Sequence, residues 1–472
     1  MLELNKMNVG AELTKLINLD MVSQQKKKMK DSIKYYNGEH DILNYRMFYT
    51  TSDGTIKEEF NRANEKISHR FHTQLIDQKV AYLLSNKVKF ETKNEELKEL
   101  LKNYITPELQ QTIYDLVEGA SIKGWEGLYY YYDSKGVIKF QTLDSYNLFA
   151  ITDDYGAPKQ FVRYYKVRVN NLGKDEEIQR AEVFSDEGIY YFVKKNSGYV
   201  LDKNLELNPK PYKMLKIGDK LYKNKNSKLP ILILENNKQR STDLEPIKSL
   251  IDDYDKIASG LTNNILDFDQ PVYMVKNYMG DNLDDLIQNL KTRRTVGVDS
   301  DGGLSVHTID IPFEARKEKL SITRKAIYEF AMGYDSSSVG SEGNQLTNVG
   351  IKATLSLLDM KANKIETRLK SVLSQMLELI LENIKELTGK SFNASEVEFI
   401  ITRTAMTNDL EKAQEESELA NAQLTRVNSI INASIMLDKQ LVAEMLSKEL
   451  GLNQDRVMGF IQSEDYIEPL GE

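Results

Sequence analysis

Residues 242–268 read TDLEPIKSLIDDYDKIASGLTNNILDF, and the spacing of the apolar residues in this stretch decides the fold. Steps of three and four residues alternate without interruption, which predicts a helix with one narrow apolar seam. The seam consists of Leu244, Ile247, Ile251, Tyr254, Ala258, Leu261, Ile265 and Phe268. Because so narrow a seam is typical of helices that pack side by side, we expect it to pack subunits together. Thr242 and Glu245 have the spacing of a capping box, so the helix is predicted to begin at Thr242.

The chain after this helix predicts an insertion followed by a second helix. Residues 269–312 are expected to form a compact α/β unit, with a strand at 271–276, a helix at 281–291 and two further strands. A turn at 301–303 is predicted to separate those two strands. The second helix, over 313–333, is rich in basic residues.

A polar loop, a very long helix and a helical tail complete this half of the chain. The loop covers 334–346, and its glycines and serines predict no regular structure. The region 347–406 is expected to hold a helix of about 60 Å, over 347–387, and one strand. The tail, 407–472, is predicted to be helical, with breaks near Asn428, Leu437 and Gly451.

The region before the seam, 1–241, predicts helices followed by strands. Residues 64–84 carry apolar side chains at helical spacing, and helices are also expected elsewhere up to residue 123. From Trp125 to Glu235 the pattern changes to short strands separated by turns. The fold class predicted for the whole chain is therefore α+β and mainly helical.

Composition and charge exclude several classes of protein. The 472 residues, with 40% hydrophobic and 28% charged side chains, are typical of a soluble folded chain with more than one structural region. No stretch approaches the ~20 uninterrupted apolar residues that a membrane span needs, and the first twenty residues lack a signal-peptide pattern. The net charge of −8 disfavours a protein that grips DNA phosphates, but it suits one that lets DNA slide past.

Few residues are available for catalysis or for metal binding. The chain has no cysteine, which excludes disulfides, thiolate metal sites and cysteine nucleophiles. Its four histidines are His40, His69, His72 and His307. We therefore expect no cofactor, no metal and no catalytic residue.

Three clusters allow a metal or phosphate interpretation beside a structural one. Asp252, Asp253 and Asp255 could form a Mg²⁺ site of a nuclease, although consecutive helical residues point in different directions. His69 and His72 could form a two-ligand metal face, but the sequence offers no third ligand. The glycines of 340–343 lack the remainder of a phosphate-binding loop. The structural interpretation is favoured for all three clusters.

Aromatic and basic residues could contact DNA. The run Tyr129–Tyr132 could stack on bases, but an alternating strand places two rings towards the core and two outward, which favours packing. The basic candidates could bind DNA phosphates or pair with acidic residues of a neighbouring subunit, and the sequence leaves both possibilities open. They are Arg293, Arg294, Lys317, Arg324 and Lys325.

Several segments, in this order, resemble the portal (head-to-tail connector) proteins of tailed bacteriophages, of the siphophage type that infects Gram-positive hosts. They are YYNGEHDI at 35–42, KISH at 66–69, IDQKVAYLL at 76–84, LPI at 229–231, ENN at 235–237, DLEPI at 243–247, LIDDYD at 250–255 and AIY at 326–328. No single segment is a catalytic signature. Their combined order and spacing carry the resemblance over roughly residues 25–405.

The resemblance implies a ring with wing, stem, clip and crown regions. The wing would comprise 1–241 and 347–406, the stem helices 242–268 and 313–333, and the crown 407–472. The clip would be 269–312. The tunnel loop, within 334–346, would consist of Asp335, Ser336, Ser337, Ser338, Val339, Gly340, Ser341, Glu342, Gly343, Asn344 and Gln345.

The resemblance also implies a function and partners. The expected function is that of a non-enzymatic portal at the capsid vertex, through which a separate terminase ATPase packages double-stranded DNA. The expected partners are eleven further copies in the virion, the terminase, a head-completion adaptor, and the major capsid and scaffolding proteins, with assembly in the host cytoplasm. The alternatives are a metal-dependent enzyme acting on nucleic acid and a non-viral coiled-coil scaffold.

Overall fold

The structure is a computed structural model of the 472-residue chain. It describes residues 2, 4, 8–60, 62–171, 174–196, 198–217, 220–224, 228–268, 272–278, 298–307, 312–336, 348–403, 409–434 and 437–461. The chain forms two compact units. Unit 1 comprises Met1–Asp335 with Leu357–Thr404, and unit 2 comprises Ser336–Ser356 with Ala405–Glu472.

Helices and strands both contribute to the fold, as an α+β class requires. The helices are α1 (Val9–Met21), α2 (Gln24–Tyr36), α3 (Phe71–Leu83), α4 (Glu95–Leu101), α5 (Pro107–Lys123), α6 (Lys248–Phe268), α7 (Phe313–Phe330), α8 (Asn348–Thr388), α9 (Asp409–Ala433), α10 (Lys439–Leu450) and α11 (Gln454–Ile461). The first eight strands are β1 (Phe48–Thr50), β2 (Ile56–Glu58), β3 (Lys89–Thr92), β4 (Trp125–Tyr132), β5 (Ile138–Leu143), β6 (Leu148–Thr152), β7 (Pro158–Asn171) and β8 (Lys174–Ser185). The other strands are β9 (Gly188–Lys195), β10 (Gly198–Leu201), β11 (Lys213–Ile217), β12 (Lys220–Asn224), β13 (Ile231–Glu235), β14 (Val272–Tyr278), β15 (Val298–His307) and β16 (Val397–Ile400).

The sheets of unit 1 are antiparallel. The largest is a five-stranded meander in the order β10-β9-β8-β7-β6, and a three-stranded sheet has the order β13-β4-β5. Strands β16 and β3 pair although they are about 300 residues apart in sequence, so the end of unit 1 folds back onto its beginning. Pairs β1-β2, β11-β12 and β14-β15 are two-stranded.

The largest hydrophobic core surrounds the second half of the long helix. Ala362, Ile365, Leu369, Met376 and Ile380 of α8 are buried there against α3, α4, α5 and the three-stranded sheet. Because buried positions recur every three or four residues along α8, this helix forms the central spine of unit 1. A second core packs α1 against the five-stranded meander.

Unit 2 has a small core of its own. Its helices α9, α10 and α11 bury six apolar residues together: Ile430, Val442, Ala443, Leu446, Val457 and Ile461. Helix α10 ends at the C-cap residue Gly451, before α11 begins. The φ of Gly451 is 65°, a left-handed conformation that suits glycine. Helix α9 runs through residue 428, so the break predicted there is wrong.

Several predicted element boundaries are corrected. Helix α3 begins at Phe71, and residues 63–70 before it belong to neither helix nor strand. The β1-β2 hairpin lies in a region predicted to be helical, and the turn predicted at 301–303 lies within the continuous strand β15. The helix predicted at 281–291 lies outside the described residues.

Helix α6 begins at Lys248, six residues after the predicted start. Residues 243–247 form turns instead, although the Glu245 carboxylate does accept a hydrogen bond from the backbone N–H of Thr242 at 2.9 Å. The reciprocal bond of a capping box is missing, because the buried Thr242 hydroxyl has no hydrogen-bond partner among the described residues.

Candidate functional site

The first three seam residues are buried within a single chain. Leu244, Ile247 and Ile251 are at most 2% exposed. They belong to a core that also contains Tyr35, Phe71, Leu75, Ile327, Tyr328 and Ala331. Their side chains are therefore unavailable to a neighbouring subunit, and the prediction that they pack subunits together is corrected. They fix α6 to α3 and α7 instead.

The second half of the seam is progressively uncovered. The Tyr254 ring still contacts the edges of the His69 and Phe71 rings, with centroids 4.7 and 5.0 Å away. Ala258 and Leu261 are half-buried, and Ile265 is 47% exposed. The Phe268 side chain lies outside the described residues. The seam thus divides into a core half and an open half.

Helix α7 packs antiparallel along α6. The Lys319 ammonium lies 3.0 Å from the Asp253 carboxylate, and the Arg316 guanidinium faces Asn264, about three helical turns further along α6. Since both partners of the Lys319–Asp253 pair are largely exposed, this ion pair contributes at most about 1 kcal/mol. Apolar packing in the core half therefore contributes most to holding the two helices together.

The three carboxylates weighed as a metal site have separate partners. Asp252 accepts hydrogen bonds from the Tyr35 hydroxyl and from Lys248, and Asp253 pairs with Lys319. Asp255 faces histidines on another side of α6. Within the described ranges, no group of three or more His, Cys, Asp or Glu side chains has the arrangement of a metal site.

Asp255 is the centre of a buried hydrogen-bonded group. Its two carboxylate oxygens lie 2.6 Å from His40 Nδ1 and 2.8 Å from His69 Nδ1, and it also accepts the His69 backbone N–H at 2.9 Å. Burial alone would raise the pKa of this carboxyl, but the hydrogen bonds from His40 and His69 lower the pKa below its usual value. The charged carboxylate is thereby stabilised inside the fold.

His69 and His72 do not form a pair of ligands. His69 precedes α3 and faces Asp255, whereas His72 lies inside α3, where its Nε2 is 2.9 Å from the Ser32 hydroxyl. Burial lowers the pKa of His72 to about 3, so this imidazole is neutral. The expectation that the two residues share a helix face is corrected.

Residues 63–69, here named the strap, lie along α6. Four backbone N–H groups of the strap donate hydrogen bonds to side chains of α6. The bonds are Ala63 to Asp267 at 2.8 Å, Glu65 to Asn263 at 2.7 Å, Ile67 to Ser259 at 3.0 Å and His69 to Asp255 at 2.9 Å. The strap therefore covers one face of α6.

A second buried polar cluster lies where α3, α6 and α8 meet. The Asp243 carboxylate lies 3.0 Å from the Lys79 ammonium and 3.1 Å from the Lys361 ammonium, and it accepts the Asn236 amide at 2.8 Å. Lys361 also donates to the Ala331 carbonyl at the end of α7. This one side chain of α8 therefore contacts the segments that begin α6 and end α7.

Burial and charge set the protonation of this cluster. Burial, with a smaller contribution from the Lys361 charge, lowers the pKa of Lys79 to about 8, although Asp243 acts to raise it. Burial raises the pKa of Asp243, but Lys361 and Lys79 lower it well below its usual value. Asp243 is therefore the counter-ion on which both lysines depend.

Sequence reasoning missed this cluster, although one signal was present. Lys79 lies between Ile76, Val80 and Leu83 on the buried face of α3, and a lysine on such a face requires a buried partner. Its partners Asn236 and Asp243 lie 157 and 164 residues further along the chain, and no sequence pattern indicates which residues they are.

The basic candidates have different surroundings. Arg324 makes a two-pronged ion pair with Asp335, at 2.8 and 2.9 Å, and stacks near Phe71 and Tyr328. Arg324 thus fixes the segment that follows α7, and its guanidinium is not a fully exposed group. Lys317 and Lys325 are exposed on α7. Arg293 and Arg294 lie outside the described residues.

Most of the predicted tunnel loop also lies outside the described residues. Asp335 and Ser336 are described, with Asp335 fixed by Arg324. Ser337, Ser338, Val339, Gly340, Ser341, Glu342, Gly343, Asn344 and Gln345 lie outside, and with them the glycines weighed as a phosphate loop.

The tyrosine run of β4 alternates, but both of its faces are packed. Tyr130 is buried in the main core and Tyr132 packs beside it, while Tyr129 packs on Phe184 in another core. Tyr131 is the most exposed of the four, with 38% of its surface accessible. The packing interpretation therefore fits these rings better than base stacking does.

Buried ion pairs, hydrogen-bonded carboxylates and apolar packing hold the helices of the described site together. Among the described helices, none combines the length and the apolar character that crossing a membrane requires. A family model described as "Phage portal protein, SPP1 Gp6-like" matches residues 19–449. The chain belongs to this family of phage portal proteins, which confirms the resemblance seen in the sequence.

Individual relatives agree with the family. The portal protein of Bacillus phage SPP1 is 29% identical over 387 residues, which cover 81% of this chain and 75% of the relative. The portal protein of Clostridium phage phiCD119 is 26% identical over 404 residues, covering 80% and 83%. A solved structure described as "Neck of native GTA particle computed with C12 symmetry" has a TM-score of 0.39 and 12% identity, covering 81% of this chain and 90% of that chain.

Proposed function

We propose that this portal protein forms a closed ring at the capsid vertex, with twelve subunits in the virion. Double-stranded DNA passes through the central channel during packaging and ejection, without sequence-specific contacts. The observation that carries the proposal is the portal family match over residues 19–449. The net charge of −8 supports it, because a strongly basic channel would retain DNA rather than let it move.

The regions of the ring follow the family order. Helices α6 and α7 form the stem, 269–312 the clip, and 407–472 the crown. The parts of unit 1 in 1–241 and 347–406 form the wing, and the loop at 334–346 faces the channel. The antiparallel α6–α7 pair and the anchoring of both helices to α8 through Lys361 support this assignment.

The partners follow from the position of a portal in the virus. In this proposal the clip contacts a terminase during packaging and a head-completion adaptor afterwards, and the outer surface contacts major capsid and scaffolding proteins. Assembly takes place in the host cytoplasm. The terminase supplies ATP hydrolysis, and the portal chain itself catalyses no reaction. The separate hydrogen-bond partners of Asp252, Asp253 and Asp255 support this structural role.

Mass photometry and negative-stain microscopy of the purified full-length chain test the proposal. We expect closed rings with a central hole and a mass close to twelve times the 54.2 kDa chain, or a neighbouring multiple. Monomers alone at micromolar concentration contradict the ring, and elongated dimers favour the coiled-coil scaffold. DNA cleavage with Mg²⁺ that disappears in Asp253→Ala supports the nuclease alternative.

A further inference from the structure

The strap is nearly fully extended and is matched in length to the part of α6 from Asp255 to Asp267. Its four bonded N–H groups alternate along the strap, and their acceptors recur every fourth residue, from Asp267 back to Asp255. Twelve helical residues rise about 18 Å, and six extended residues span at most about 20 Å. The spacing of every second strap residue therefore matches the spacing of every fourth residue of α6. The strap is fixed at both ends to this single helix.

The β1-β2 hairpin directly precedes the strap, and three apolar residues share one of its faces with Thr50 and Glu58, the latter 3.5 Å from the Arg46 guanidinium. The register pairs Phe48 with Glu58 and Thr50 with Ile56, so Phe48 and Ile56 lie on the same face. A bond from the Glu59 N–H to the Met47 carbonyl, at 2.9 Å, continues the ladder by one residue. Because side chains alternate, Phe60 lies on the face of Phe48 and Ile56 as well.

This face, here named the hairpin face, is unusually exposed. Phe48 is 60% exposed, Ile56 is 69% and Phe60 is 80%. Together they present roughly 300 Å² of apolar surface, which is the size of patch that marks interaction sites. A two-stranded hairpin has little stability alone, so a surface that covers this face would also stabilise the hairpin.

A second, partly uncovered apolar surface lies on α6 itself. The α6 stripe, defined as Ala258, Leu261 and Ile265, is the open half of the seam. At 100° per residue these positions lie on roughly the opposite side of the helix from Lys256 and Asp267. Lys256 and Asp267 face the hairpin side, because Lys256 lies over the Tyr45 ring and Asp267 holds the end of the strap.

The hairpin and the α6 stripe therefore lie on opposite sides of one helix. The hairpin face cannot cover the α6 stripe of its own chain, but it can cover the stripe of a copy placed beside it. One surface that fits a different surface of an identical neighbour is the requirement for a ring. Both surfaces expose large apolar side chains and each is adjacent to α6, so the occupant that fits is a second copy of this chain.

We propose that the hairpin face of each subunit packs on the α6 stripe of the next subunit. The strap fixes the hairpin to its own α6, so it sets the distance and direction at which the hairpin meets the neighbour. This contact rests on the proposed ring function and specifies where neighbouring subunits meet beside the stem. It also assigns a role to Phe48, Ile56 and Phe60.

Disulfide trapping tests the contact directly, because the natural chain has no cysteine. Chains carrying Ile56→Cys alone are mixed with chains carrying Ile265→Cys alone, assembled and oxidised. We expect covalent dimers on a non-reducing gel, at least ten times more abundant than with Tyr155→Cys in place of Ile56→Cys. Tyr155 is 97% exposed and lies at the β6–β7 turn, which makes it the matched control. Assembled rings that give no more dimer than this control overturn the contact.

A second experiment removes the hairpin face. In Phe48→Ser with Phe60→Ser, we expect ring formation at micromolar concentration to fall at least tenfold, with unchanged circular dichroism and unchanged Tm of the dissociated chain. If the variant assembles as the wild type does, the proposed contact is wrong while the ring function stands. If the wild type itself forms no rings, the proposed function fails first, and the contact fails with it.

Discussion

Asp243 pairs with the buried Lys79 and with the partly buried Lys361, and no other carboxylate is within ion-pair distance of Lys79 or Lys361 among the described residues. A buried charge without a partner costs several kcal/mol, so each member of this cluster needs the others. Lys361 extends the cluster to the Ala331 carbonyl. At the scale of single residues, Asp243 is thus the position on which the junction of α3, α6 and α8 depends.

Asp243→Asn tests this dependence. The amide keeps the size of the side chain but leaves the Lys79 and Lys361 ammonium groups without a counter-ion. We expect a loss of about 3–5 kcal/mol in the free energy of unfolding, measured by denaturant or thermal unfolding. Glu95→Gln is the control, because the Glu95 side chain is 76% exposed and its pair with Lys98 contributes less than about 1 kcal/mol. Equal stability of the two variants would contradict the role of Asp243.

Asp255 gives a prediction about pH. Its pKa is lowered in the folded chain, so the charged carboxylate stabilises the fold above the ordinary pKa of about 4. That contribution is lost as the pH falls through the lower, folded-state pKa. We expect Asp255→Asn to be less stable than the wild type by about 2 kcal/mol at pH 7, and this difference to shrink below pH 4. Urea unfolding at pH 7, 5 and 3 measures it, and a difference that stays constant with pH would contradict the assignment.

At the scale of elements, the sequence predicted the helices with regularly spaced apolar residues well, but it did not predict contacts between distant parts of the chain. Helices α6, α7 and α8 were predicted within a few residues, apart from the start of α6, because their apolar residues recur at helical spacing. The strap was predicted as helix, since its residues have the same period as α3. Its hydrogen bonds go to side chains about 190–200 residues away, which local pattern cannot reveal.

The hairpin was missed although it carried a signal. Asp53-Gly54 between Phe48 and Ile56 is a turn pair between strand-forming residues, and Gly54 has the positive φ that such turns require. The apolar seam of α6 was predicted from the sequence, but its division into a core half and an open half was not. Whether an apolar residue faces its own core or a neighbour depends on what packs there, and Ile251 and Ile265 are indistinguishable in sequence.

Substitutions at these two positions should separate the halves of α6. Ile251 is fully buried, so Ile251→Asp is expected to destabilise the isolated chain by several kcal/mol. If Ile251 packed only against a neighbouring subunit, the variant would instead lose its rings and keep its stability. Ile265 is 47% exposed, and Ile265→Asp should keep the Tm within about 1 °C while preventing rings. Thermal unfolding with mass photometry measures both effects, and a normal Tm for Ile251→Asp would contradict the division.

At the scale of the whole molecule, the order of regions was the most informative part of the sequence. No single segment identified the chain, yet eight short segments in family order did, and the family match over residues 19–449 confirms that resemblance. The net charge of −8 was informative at the same scale. A portal has to hold a polyanion in a channel without binding it tightly, and a chain with this negative net charge suits that requirement.

The loop at 335–345 gives a prediction at this scale. It contains Asp335, Glu342 and no Lys or Arg, and its small polar residues have little apolar area to contribute to a core. Because Arg324 holds Asp335 outside the replaced segment, exchanging 336–343 for a Gly-Ser linker of equal length should leave ring mass and Tm unchanged. The same exchange should reduce the length or the yield of packaged genome in assembled heads. Loss of rings, or packaging at the wild-type level, would contradict the assignment of this loop to the channel.

Adding charge to the loop tests the same assignment from the opposite direction. Ser337→Lys with Ser338→Lys would place two cations per subunit around the channel, and each would attract DNA phosphates most strongly at low salt. We therefore expect packaging to slow several-fold at about 50 mM salt and to recover towards the wild-type rate at about 200 mM. Ser391→Lys with Ser395→Lys adds the same charge at exposed positions after α8 and serves as the control. If both double variants slow packaging equally, the effect comes from net charge alone and the loop does not line the channel.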